Sequence, residues 1–526
     1  MKKIFFLAAL GLSVMAQAAD LDYYKTLVDE QADATKGQTK VCALEYAADG
    51  SLYILSDYQT ASAEETGLVF ENKNYPGATA SKWGSKAGEM KYTNMRNSFL
   101  AKLDAEGNLL WAKADTTGDY DVANTALTAT ADGGVIYADK FRTRKGVYAG
   151  FISVYNKDGN VLGSNSMAFT NYDSVEVDGK KVFRKEAFNW AGVVMDKDSF
   201  VYLTGVQTDT LLPVWNDSLA PRKAWTEKSG GINTSKGNTF LLKYKLQPGQ
   251  WPDLAYTKGV INNDELDYDR PLGLHYENGK LYVAGTYGKG TEKGIYAAAY
   301  NTNLEREYIQ YHAINGGLQF QQTKFADGKI FVCGGLAKNG EITIGNKVIP
   351  ASTTAANSGM VFIMNLADGT ALDAAVNVPE NDPLNITVAA YPTDSGYVAY
   401  NHETLNGIEM ALHYDANMNL VSVDTIAQGG GSSTISAVGH SVEKGKTAIG
   451  LRASYKAPYY LLDEEPMQYE TTNWYSVVAV INTANPAQGV EEIEAANGKA
   501  VKFIENGLLY IRRDGKTYNV QGQVIK

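Results

Sequence analysis

The chain has 526 residues, of which 44% are apolar and 20% charged, with 51 glycines, 34 tyrosines and only 2 cysteines. This composition supplies a full hydrophobic core, which excludes a disordered chain, and two thiols cannot form a disulfide scaffold. The formal net charge of −11 argues against a nucleic-acid partner, because phosphate binding requires a basic surface. Abundant tyrosine and glycine are typical of strands joined by tight turns, so we expect an all-β protein.

Residues 1–19 have the three parts of a secretory signal peptide. Lys2 and Lys3 precede an apolar run, and the small residues on either side of Gln17 form a cleavage site. The apolar run of about 13 residues is too short to span a bilayer of about 30 Å as a helix. The sequence therefore predicts an exported mature chain that begins at Asp20 and contains no transmembrane segment.

Between residues 38 and 483 one pattern of turns and strands recurs. Its first half is a turn followed by an apolar strand, and the turns are Asp49-Gly50, Asp132-Gly133, Asp198-Ser199, Asn278-Gly279, Asp327-Gly328, Asp394-Ser395 and Lys444-Gly445. Its second half is another pair of strands, which starts near Ser98, Gly150, Thr239, Ile295, Met360, Met410 and Tyr475. An alternating run also precedes each first turn, so each unit has four strands. Seven such units predict a seven-bladed β-propeller.

The spacing of the units is irregular because four of them contain long loops, at 58–97, 207–237, 337–358 and 454–473. Without these loops a unit averages about 48 residues, near the ~40–50 of a propeller blade. Six-bladed and eight-bladed rings are the alternatives. The last unit has no fourth strand before Asn485-Pro486, and residues 20–37 are predicted to supply that strand and close the ring.

Segments such as FLAKLDAEGNLLWAK, from Phe99, alternate along the chain with strands such as LYVAGT, from Leu281. They resemble the short repeats of bacterial extracellular β-propeller proteins, over roughly residues 38–483. The resemblance implies the fold. It leaves the activity open, because propellers include hydrolases, lyases, receptors and scaffolds.

A linker, 484–499, is predicted to lead to a C-terminal tail at 500–526. The turn dipeptides Asn506-Gly507, Asp514-Gly515 and Gln521-Gly522 separate short β-rich segments and predict a small meander. The tail resembles the C-terminal sorting domains of cargo proteins of the type IX secretion system of Gram-negative bacteria. That resemblance implies the outer-membrane secretion machinery as a partner and a secreted or cell-surface location. The alternative is a hairpin that caps the preceding domain.

Sequence motifs for catalysis and cofactor binding are absent. The five histidines, His275, His312, His402, His413 and His440, have no metal-ligand spacing, and there is no G-x-S-x-G, Walker A or G-x-G-x-x-G motif. We therefore predict no cofactor and no metal site, and the catalytic residues remain unknown. His275 and His413 fall within predicted strands and are interpreted as hydrogen-bonded structural residues.

Two acidic clusters, Asp119–Asp121 and Asp264–Asp269, contain oxygen ligands that suit Ca²⁺ but lack the EF-hand spacing. We interpret them as solvated linkers, with Ca²⁺ binding as the alternative. Cys42 and Cys333 lie in the first and fifth units, too far apart in a ring for a disulfide. Both are predicted to be buried free thiols.

The long loops connect the second and third strands of their units, and in a propeller they share one rim. Their aromatic residues are predicted to bind a ligand, and the candidates are Tyr75, Trp83, Trp215, Trp225, Tyr459, Tyr460 and Tyr469. The alternative is that these rings attach their own loops to the rim. The favoured function is an exported binding or scaffold protein for a protein or glycan ligand. A polysaccharide hydrolase or lyase, with carboxylates from neighbouring blades, is the alternative.

Overall fold

The computed structural model describes residues 20–29, 38–59, 68–71, 73–75, 97–114, 126–142, 148–169, 175–177, 180–182, 188–207, 211–214, 217–219, 237–262, 266–378, 384–404, 407–429, 434–441, 443–454, 458–462, 464–467, 474–483, 501–505, 508–513 and 516–518. The regular secondary structure in these ranges is β-strand, without an α-helix. Accordingly, none of the described segments is an apolar helix of bilayer-spanning length. The predicted signal peptide and linker lie outside the described residues.

The chain divides into two compact units, Met1–Ala484 and Asn485–Lys526. In the first unit most of the described strands pair antiparallel in successive groups, which we call sheets 1 to 7 in chain order. Sheets 7 and 1 are joined into one ten-stranded sheet, because β37 pairs with β1 and, at one residue, with β2. Sheet 1 follows the N-terminal strand β1 (Asp20–Asp29) and contains β2 (Gln38–Tyr46), β3 (Leu52–Gln59), β6 (Asn97–Leu103) and β7 (Leu109–Ala114), with β4 (Leu68–Phe70) and β5 (Lys73–Tyr75) inserted after β3. Sheet 2 contains β8 (Ala126–Ala129), β9 (Val135–Arg142), β10 (Tyr148–Tyr155) and β11 (Val161–Phe169), and a separate hairpin follows with β12 (Val175–Val177) and β13 (Lys180–Val182).

Sheets 3 to 5 have the same plan. Sheet 3 contains β14 (Phe188–Met195), β15 (Phe200–Gln207), β18 (Asn238–Leu246) and β19 (Leu254–Ile261), with β16 (Leu211–Val214) and β17 (Asp217–Leu219) inserted. Sheet 4 contains β20 (Tyr268–Glu277), β21 (Lys280–Lys289), β22 (Glu292–Asn301) and β23 (Arg306–Ala313). Sheet 5 contains β24 (Leu318–Ala326), β25 (Lys329–Ala337), β28 (Asn357–Asn365) and β29 (Ala371–Asn377), with β26 (Glu341–Ile344) and β27 (Lys347–Pro350) inserted.

Sheet 6 contains β30 (Asn385–Thr393), β31 (Gly396–Glu403), β32 (Ile408–Asp415) and β33 (Leu420–Gln428). Sheet 7 contains β34 (Thr434–Ser441), β35 (Lys446–Ser454) and β37 (Trp474–Asn482), and its inserted strand β36 (Tyr460–Leu461) pairs with β33. In the second unit, β38 (Val501–Glu505), β39 (Leu508–Arg513) and β40 (Lys516–Tyr518) form an antiparallel meander, in agreement with the turn dipeptides of the tail.

Burial changes from the inner to the outer strands of a sheet. The second strand of sheet 4, β21, is buried over Leu281–Gly288, because both of its faces are covered by neighbouring sheets. The outer strand β23 is exposed or half-buried along its length. The apolar runs after each first turn are therefore the second strands, and the core lies between sheets. The turn that precedes β21 has positive φ at Asn278 and Gly279, 52° and 81°, which favours Asn-Gly.

The N-terminal strand completes sheet 7. β1 pairs antiparallel with β37, from Asp20 opposite Asn482 to Leu27 opposite Ser476. Of residues 20–37, which are predicted to occupy this position, the structure describes 20–29. Lys446 of sheet 7 also forms an ion pair of 2.7 Å with Asp22 and donates a hydrogen bond to the Ala105 carbonyl of sheet 1.

The first strands of successive sheets contact one another, and β34 of sheet 7 contacts β2 of sheet 1. The protein is therefore all-β and propeller-like. Two turn glycines also pack closely against an aromatic ring of a neighbouring sheet. A Cβ atom at Gly159 of sheet 2 would lie 2.9 Å from the Trp111 ring of sheet 1, and one at Gly107 of sheet 1 would lie 2.8 Å from the Tyr23 ring on β1.

These glycines provide a test of the packing between sheets. Gly107, Gly159 and Gly249 all have positive φ, between 76° and 85°, but Gly249 has no atom within 4 Å of a built Cβ. Gly249→Ala therefore measures backbone strain alone. We expect Gly107→Ala and Gly159→Ala to lower the free energy of unfolding by about 1–3 kcal/mol more than Gly249→Ala, because the methyl group displaces a ring. Urea unfolding measures the difference, and equal losses at all three positions would contradict the packing.

Candidate functional site

The two edges of the sheets carry different connections. Within an antiparallel four-stranded sheet, the connection between the second and third strands lies on the same edge as the connection to the next sheet. We call this edge the insertion face, because β4–β5, β16–β17, β26–β27 and β36 all occur in second-to-third connections. The opposite edge, with the short first-to-second and third-to-fourth turns, is the turn face.

The predicted aromatic ligand contacts do not form one surface in the described part of the chain. Trp83, Trp215, Trp225 and Tyr469 lie outside the described residues. Tyr75 is half-buried and packs edge-on against Phe99, with ring centroids 5.1 Å apart. Tyr459 is fully buried, and its backbone pairs with Met467. Tyr460, which is 50% exposed, does present its ring to solvent.

Tyr459 is therefore not available to a ligand in this conformation, because a ring with no exposed surface cannot stack on a sugar or a partner. It belongs to a core cluster with Tyr475 and Leu461 that covers the end of sheet 6. Tyr75 likewise packs against the core of sheet 1. These two rings attach their insertions to the sheets, which is the alternative that the sequence leaves open.

A pocket lies on the insertion face between sheets 4 and 5. Its volume is about 580 Å³, within the range of small-molecule sites. Three segments form it: the turn between β21 and β22, the connection between β23 and β24, and the hairpin β26–β27. The lining residues are Thr291, Glu292, Lys293, Ala313, Ile314, Asn315, Gly316, Glu341 and Thr343. We call it the insertion-face pocket.

The backbone of the pocket is held by hydrogen bonds to both walls. The Ile314 amide donates to the Lys293 carbonyl at 2.9 Å, and the Glu341 amide donates to the Asn315 carbonyl at 2.8 Å. The Asn315 amide returns a bond to the Glu341 carbonyl at 3.2 Å. The connection between sheets 4 and 5 is thus clamped in place, so the pocket is formed without a ligand.

The polar side chains of the pocket include two carboxylates, which are hydrogen-bond acceptors. Glu292 Oε1 accepts a bond of 2.7 Å from the Tyr287 hydroxyl, which orients one carboxylate. Asn315 Nδ2 lies 3.4 Å from Glu341 Oε1. Lys293 is the one basic residue in the lining. Sequence reasoning missed this pocket because its residues come from three separate segments with no shared motif.

Side chains of several first strands meet near the turn face. Apart from β2, whose Gln38 also pairs with Trp474 of β37, each first strand pairs on one side only, so its other edge has backbone carbonyls without sheet partners. Lys324 Nζ of β24 donates to the Val438 carbonyl of β34 at 2.6 Å, and the Tyr391 hydroxyl of β30 donates to the same carbonyl at 3.1 Å. The His440 ring lies 4.5 Å from the Tyr391 ring. With Glu45 of β2, these three side chains form what we call the axial cluster.

Burial dominates the electrostatics of the axial cluster. It raises the pKa of Glu45 to about 7, although the nearby Lys324 partly opposes the shift. It lowers the pKa of Lys324 from its usual value, against the effect of Glu45. Burial, together with the charge of Lys324, lowers the pKa of His440 to about 4. Glu45, Lys324 and His440 nevertheless keep some accessible surface.

The histidines have structural contacts in the described chain, and His413 accordingly pairs with Asp424 at 2.9 Å. His275 departs from the prediction, because it stacks on Phe325 and its Nε2 lies 4.0 Å from Glu277, beyond hydrogen-bond distance. The other contacts are His312 Nε2 with the Gly369 carbonyl, His402 Nδ1 with Glu409, and His440 Nδ1 with Thr447. No three His, Cys, Asp or Glu side chains among the described residues are grouped so as to hold a metal ion.

The second acidic cluster is not a solvated linker at Asp269. This residue is fully buried and accepts hydrogen bonds from the Thr239 amide and from Asn262 Nδ2. These hydrogen bonds connect β20 of sheet 4 to sheet 3. Asp267 accepts a bond from the Gly290 amide. Asp119, Asp121, Asp264 and Glu265 lie outside the described residues.

Both cysteines are free thiols. Cys333 is buried, whereas Cys42 is half-buried, contrary to the prediction, at a β-bulge of β2 between Val41 and Ala43. Burial raises the pKa of each thiol to about 12, so neither is reactive at neutral pH.

No family model matches the chain, and no curated protein matches it. Solved structures that it resembles include an apocarotenoid oxygenase variant from Synechocystis, with a TM-score of 0.36 and 9% identity over 78% of this chain and 94% of that chain. A puromycin hydrolase variant gives a TM-score of 0.39 and 11% identity over 91% and 58% of the two chains. A prolyl endopeptidase gives a TM-score of 0.40 and 10% identity over 94% of this chain and 55% of that chain. Similarities this low assign no activity.

The pKa of Glu45 makes stability depend on pH. In the folded chain the Glu45 carboxyl group has a pKa of about 7, whereas an ordinary glutamate has a pKa of 4.5. The protonated carboxyl group therefore contributes fully to the free energy of unfolding below pH 4.5, and this contribution is lost as the pH rises through about 7. We expect wild type to lose about 2 kcal/mol of unfolding free energy between pH 5 and 8 from this group, less than the full shift because the side chain retains accessible surface.

Glu45→Gln is expected to remove that part of the pH dependence and to be the more stable protein at pH 8. Glu106→Gln, at an exposed turn position, is the matched control and is expected to follow wild type. Urea unfolding at pH 5, 6, 7 and 8 measures the effect. A Glu45→Gln curve parallel to wild type would rule out the assigned protonation of Glu45.

Proposed function

We propose that the protein is an exported seven-bladed β-propeller that binds a glycan at its insertion face. Seven four-stranded sheets, a first-strand contact between sheets 7 and 1, and the N-terminal strand in sheet 7 support the blade count. A ring in which the last blade is completed by the N-terminus leaves no sheet without a neighbour, which favours closure over a stacked array.

Export is proposed from the two ends of the chain. The basic and apolar segments of residues 1–19 support passage into the periplasm. The meander β38–β40 lies in a unit separate from the propeller, as expected for a sorting signal that the secretion machinery recognises. We infer that this tail engages the outer-membrane type IX secretion machinery and that the protein is secreted or held at the cell surface.

The single observation that carries ligand binding is the insertion-face pocket. Its two carboxylates, one amide and two threonine hydroxyls come from three clamped segments. Such groups can accept hydrogen bonds from sugar hydroxyls and donate hydrogen bonds to them, because each hydroxyl is both a donor and an acceptor. The position also fits the general rule that binding residues lie in loops held by a rigid scaffold. A glycan therefore suits the pocket better than an apolar ligand.

A glycan array tests this proposal on the mature chain. We expect the wild type to bind a defined set of glycans, and Glu341→Gln to bind that set with about 10- to 100-fold lower affinity, since a hydrogen bond to a charged group contributes about 1.5–3 kcal/mol. Glu292→Gln is expected to act in the same direction. The matched control is Glu106→Gln on the turn face, which should bind as wild type does. Absence of glycan binding, or equal binding by all variants, would overturn the proposal.

A polysaccharide hydrolase or lyase is the second candidate, because Glu292 and Glu341 line the same pocket. Paired carboxylates act as acid and base in glycoside cleavage. Each bound glycan should be incubated with the wild type and assayed for new reducing ends and unsaturated products. Cleavage that disappears in Glu292→Gln and Glu341→Gln, with glycan binding retained, would replace the binding proposal with the enzymatic one.

Removal of Ala500–Lys526 tests the sorting function. In a host with a type IX system, the truncated chain is expected to accumulate in the periplasm while the full chain leaves the cell, as measured by fractionation and immunoblotting. The Met1–Ala484 unit contains the seven sheets, so the truncated chain should unfold at the same urea concentration as the full chain. A truncated chain that is still secreted would contradict the sorting function and favour the tail as a structural cap.

A further inference from the structure

We propose that the insertion-face pocket binds glycans that contain amino sugars with a free amine, and that Glu341 is the ligand of the ammonium group. This inference rests on the proposed glycan binding and specifies its substrate class. The ionisable residues in the lining of the pocket are Glu292, Glu341 and Lys293. Two carboxylates and one ammonium give the lining one excess negative charge at neutral pH.

The two carboxylates have no cationic partner in the described part of the chain. There, no lysine, arginine or histidine nitrogen lies within 4 Å of a carboxylate oxygen of Glu292 or Glu341. Lys293 is likewise more than 4 Å from every carboxylate of the described residues, so the charges of the lining are not paired with one another. A ligand with a positive charge therefore meets an unpaired carboxylate in the pocket.

Glu341 is better suited than Glu292 to bind the ammonium group. Glu292 is exposed, and its Oε1 already accepts a hydrogen bond from the Tyr287 hydroxyl. Glu341 is half-buried, and its Oε1 has a long contact of 3.4 Å with Asn315 Nδ2. Its backbone is fixed by the two hydrogen bonds with Asn315, so the carboxylate is positioned before a ligand binds. Partial burial also strengthens its attraction to a cation, because less water screens the two charges.

The remaining polar groups of the lining suit the sugar ring that carries the amine. Thr291, Asn315 and Thr343 each provide a donor and an acceptor for ring hydroxyls. A uronic acid would add a negative charge to an acidic pocket, and the net charge of −11 repels anions from the protein as a whole. Amino sugars are therefore favoured over neutral sugars, and neutral sugars over acidic ones.

A lysine side chain of a peptide also carries an ammonium group, but it fits the lining less well. Its four methylene groups would leave the polar groups of the pocket without hydrogen-bond partners, which is costly. A long flexible side chain also loses conformational entropy when it is bound, whereas the amine of an amino sugar is attached directly to a rigid ring. The pocket therefore favours the sugar over the peptide.

Isothermal titration of the full mature chain at pH 5.5 with three tetrasaccharides tests this selection. The β-1,4-linked tetramers of glucosamine, N-acetylglucosamine and glucose share one backbone and differ at carbon 2, which carries an amine, an acetamide or a hydroxyl group. We expect the glucosamine tetramer to bind at least tenfold more tightly than the other two. Equal or weaker binding of the glucosamine tetramer, or no binding of any tetramer, would overturn the amino-sugar assignment.

Two variants of the lining test the charges directly. Glu341→Gln is expected to bind the glucosamine tetramer at least tenfold more weakly and to lose the preference over the glucose tetramer. Lys293→Met is expected to bind the glucosamine tetramer several-fold more tightly, because a like charge is removed from the pocket, whereas loss of a merely structural lysine would not strengthen binding. The matched controls are Glu106→Gln and Lys329→Met at turns of the turn face, which should bind as wild type does. An unchanged preference in Glu341→Gln would overturn the role of Glu341.

A second measurement uses the wild type alone and does not depend on the folding of a variant. The amines of the glucosamine tetramer lose their protons between pH 5.5 and 8.5, whereas ordinary carboxylates stay ionised over this range. Affinity for the glucosamine tetramer is therefore expected to fall at least tenfold, and affinity for the glucose tetramer to stay constant. A glucosamine affinity that does not change with pH would contradict the ion pair.

Tetralysine at pH 5.5 separates the amino sugar from a basic peptide. We expect tetralysine to bind more weakly than the glucosamine tetramer, and tighter binding of tetralysine would replace the amino sugar with a peptide ligand. The proposed glycan function is judged separately by the glycan array. Glu341-dependent binding of neutral glycans, without a preference for the amine, would overturn this inference and leave glycan binding in place.

Discussion

The antiparallel pairing of β1 with β37 is the interaction on which the remaining structure depends. It joins residues from opposite ends of the propeller domain and gives sheet 7 its outer strand. Leu27 and Val28 of β1 are buried there. Lys446, which is bound to Asp22, also reaches the turn of sheet 1, so sheets 7 and 1 are held in contact. In the axial cluster, Lys324 of sheet 5 and Tyr391 of sheet 6 both donate to the Val438 carbonyl of sheet 7, and Glu45 of sheet 1 lies near Lys324.

The contacts between neighbouring sheets follow one chemical rule at the turn face. A long side chain of one sheet donates a hydrogen bond to a turn carbonyl of the next, as Lys102 and Tyr53 do to Gly133. The same relation joins Lys243 to Thr302 and Tyr308 to Leu366. Such side chains bury an apolar stem against the neighbouring sheet while their polar end satisfies a backbone group. The abundance of tyrosine therefore has a structural cause that is separate from ligand binding.

The repeating strands and turns of this fold can be predicted from the sequence, because turns and buried strands depend on local chemistry. Asn278-Gly279 specifies its turn through positive φ, and the apolar run after it identifies a strand covered on both faces. The insertion-face pocket and the axial cluster cannot be predicted in this way. Glu341 and Thr291 meet in one pocket only after sheets 4 and 5 pack, and no local pattern records that meeting. Asp269 likewise looks like a surface residue in the sequence, although it is buried between sheets 3 and 4.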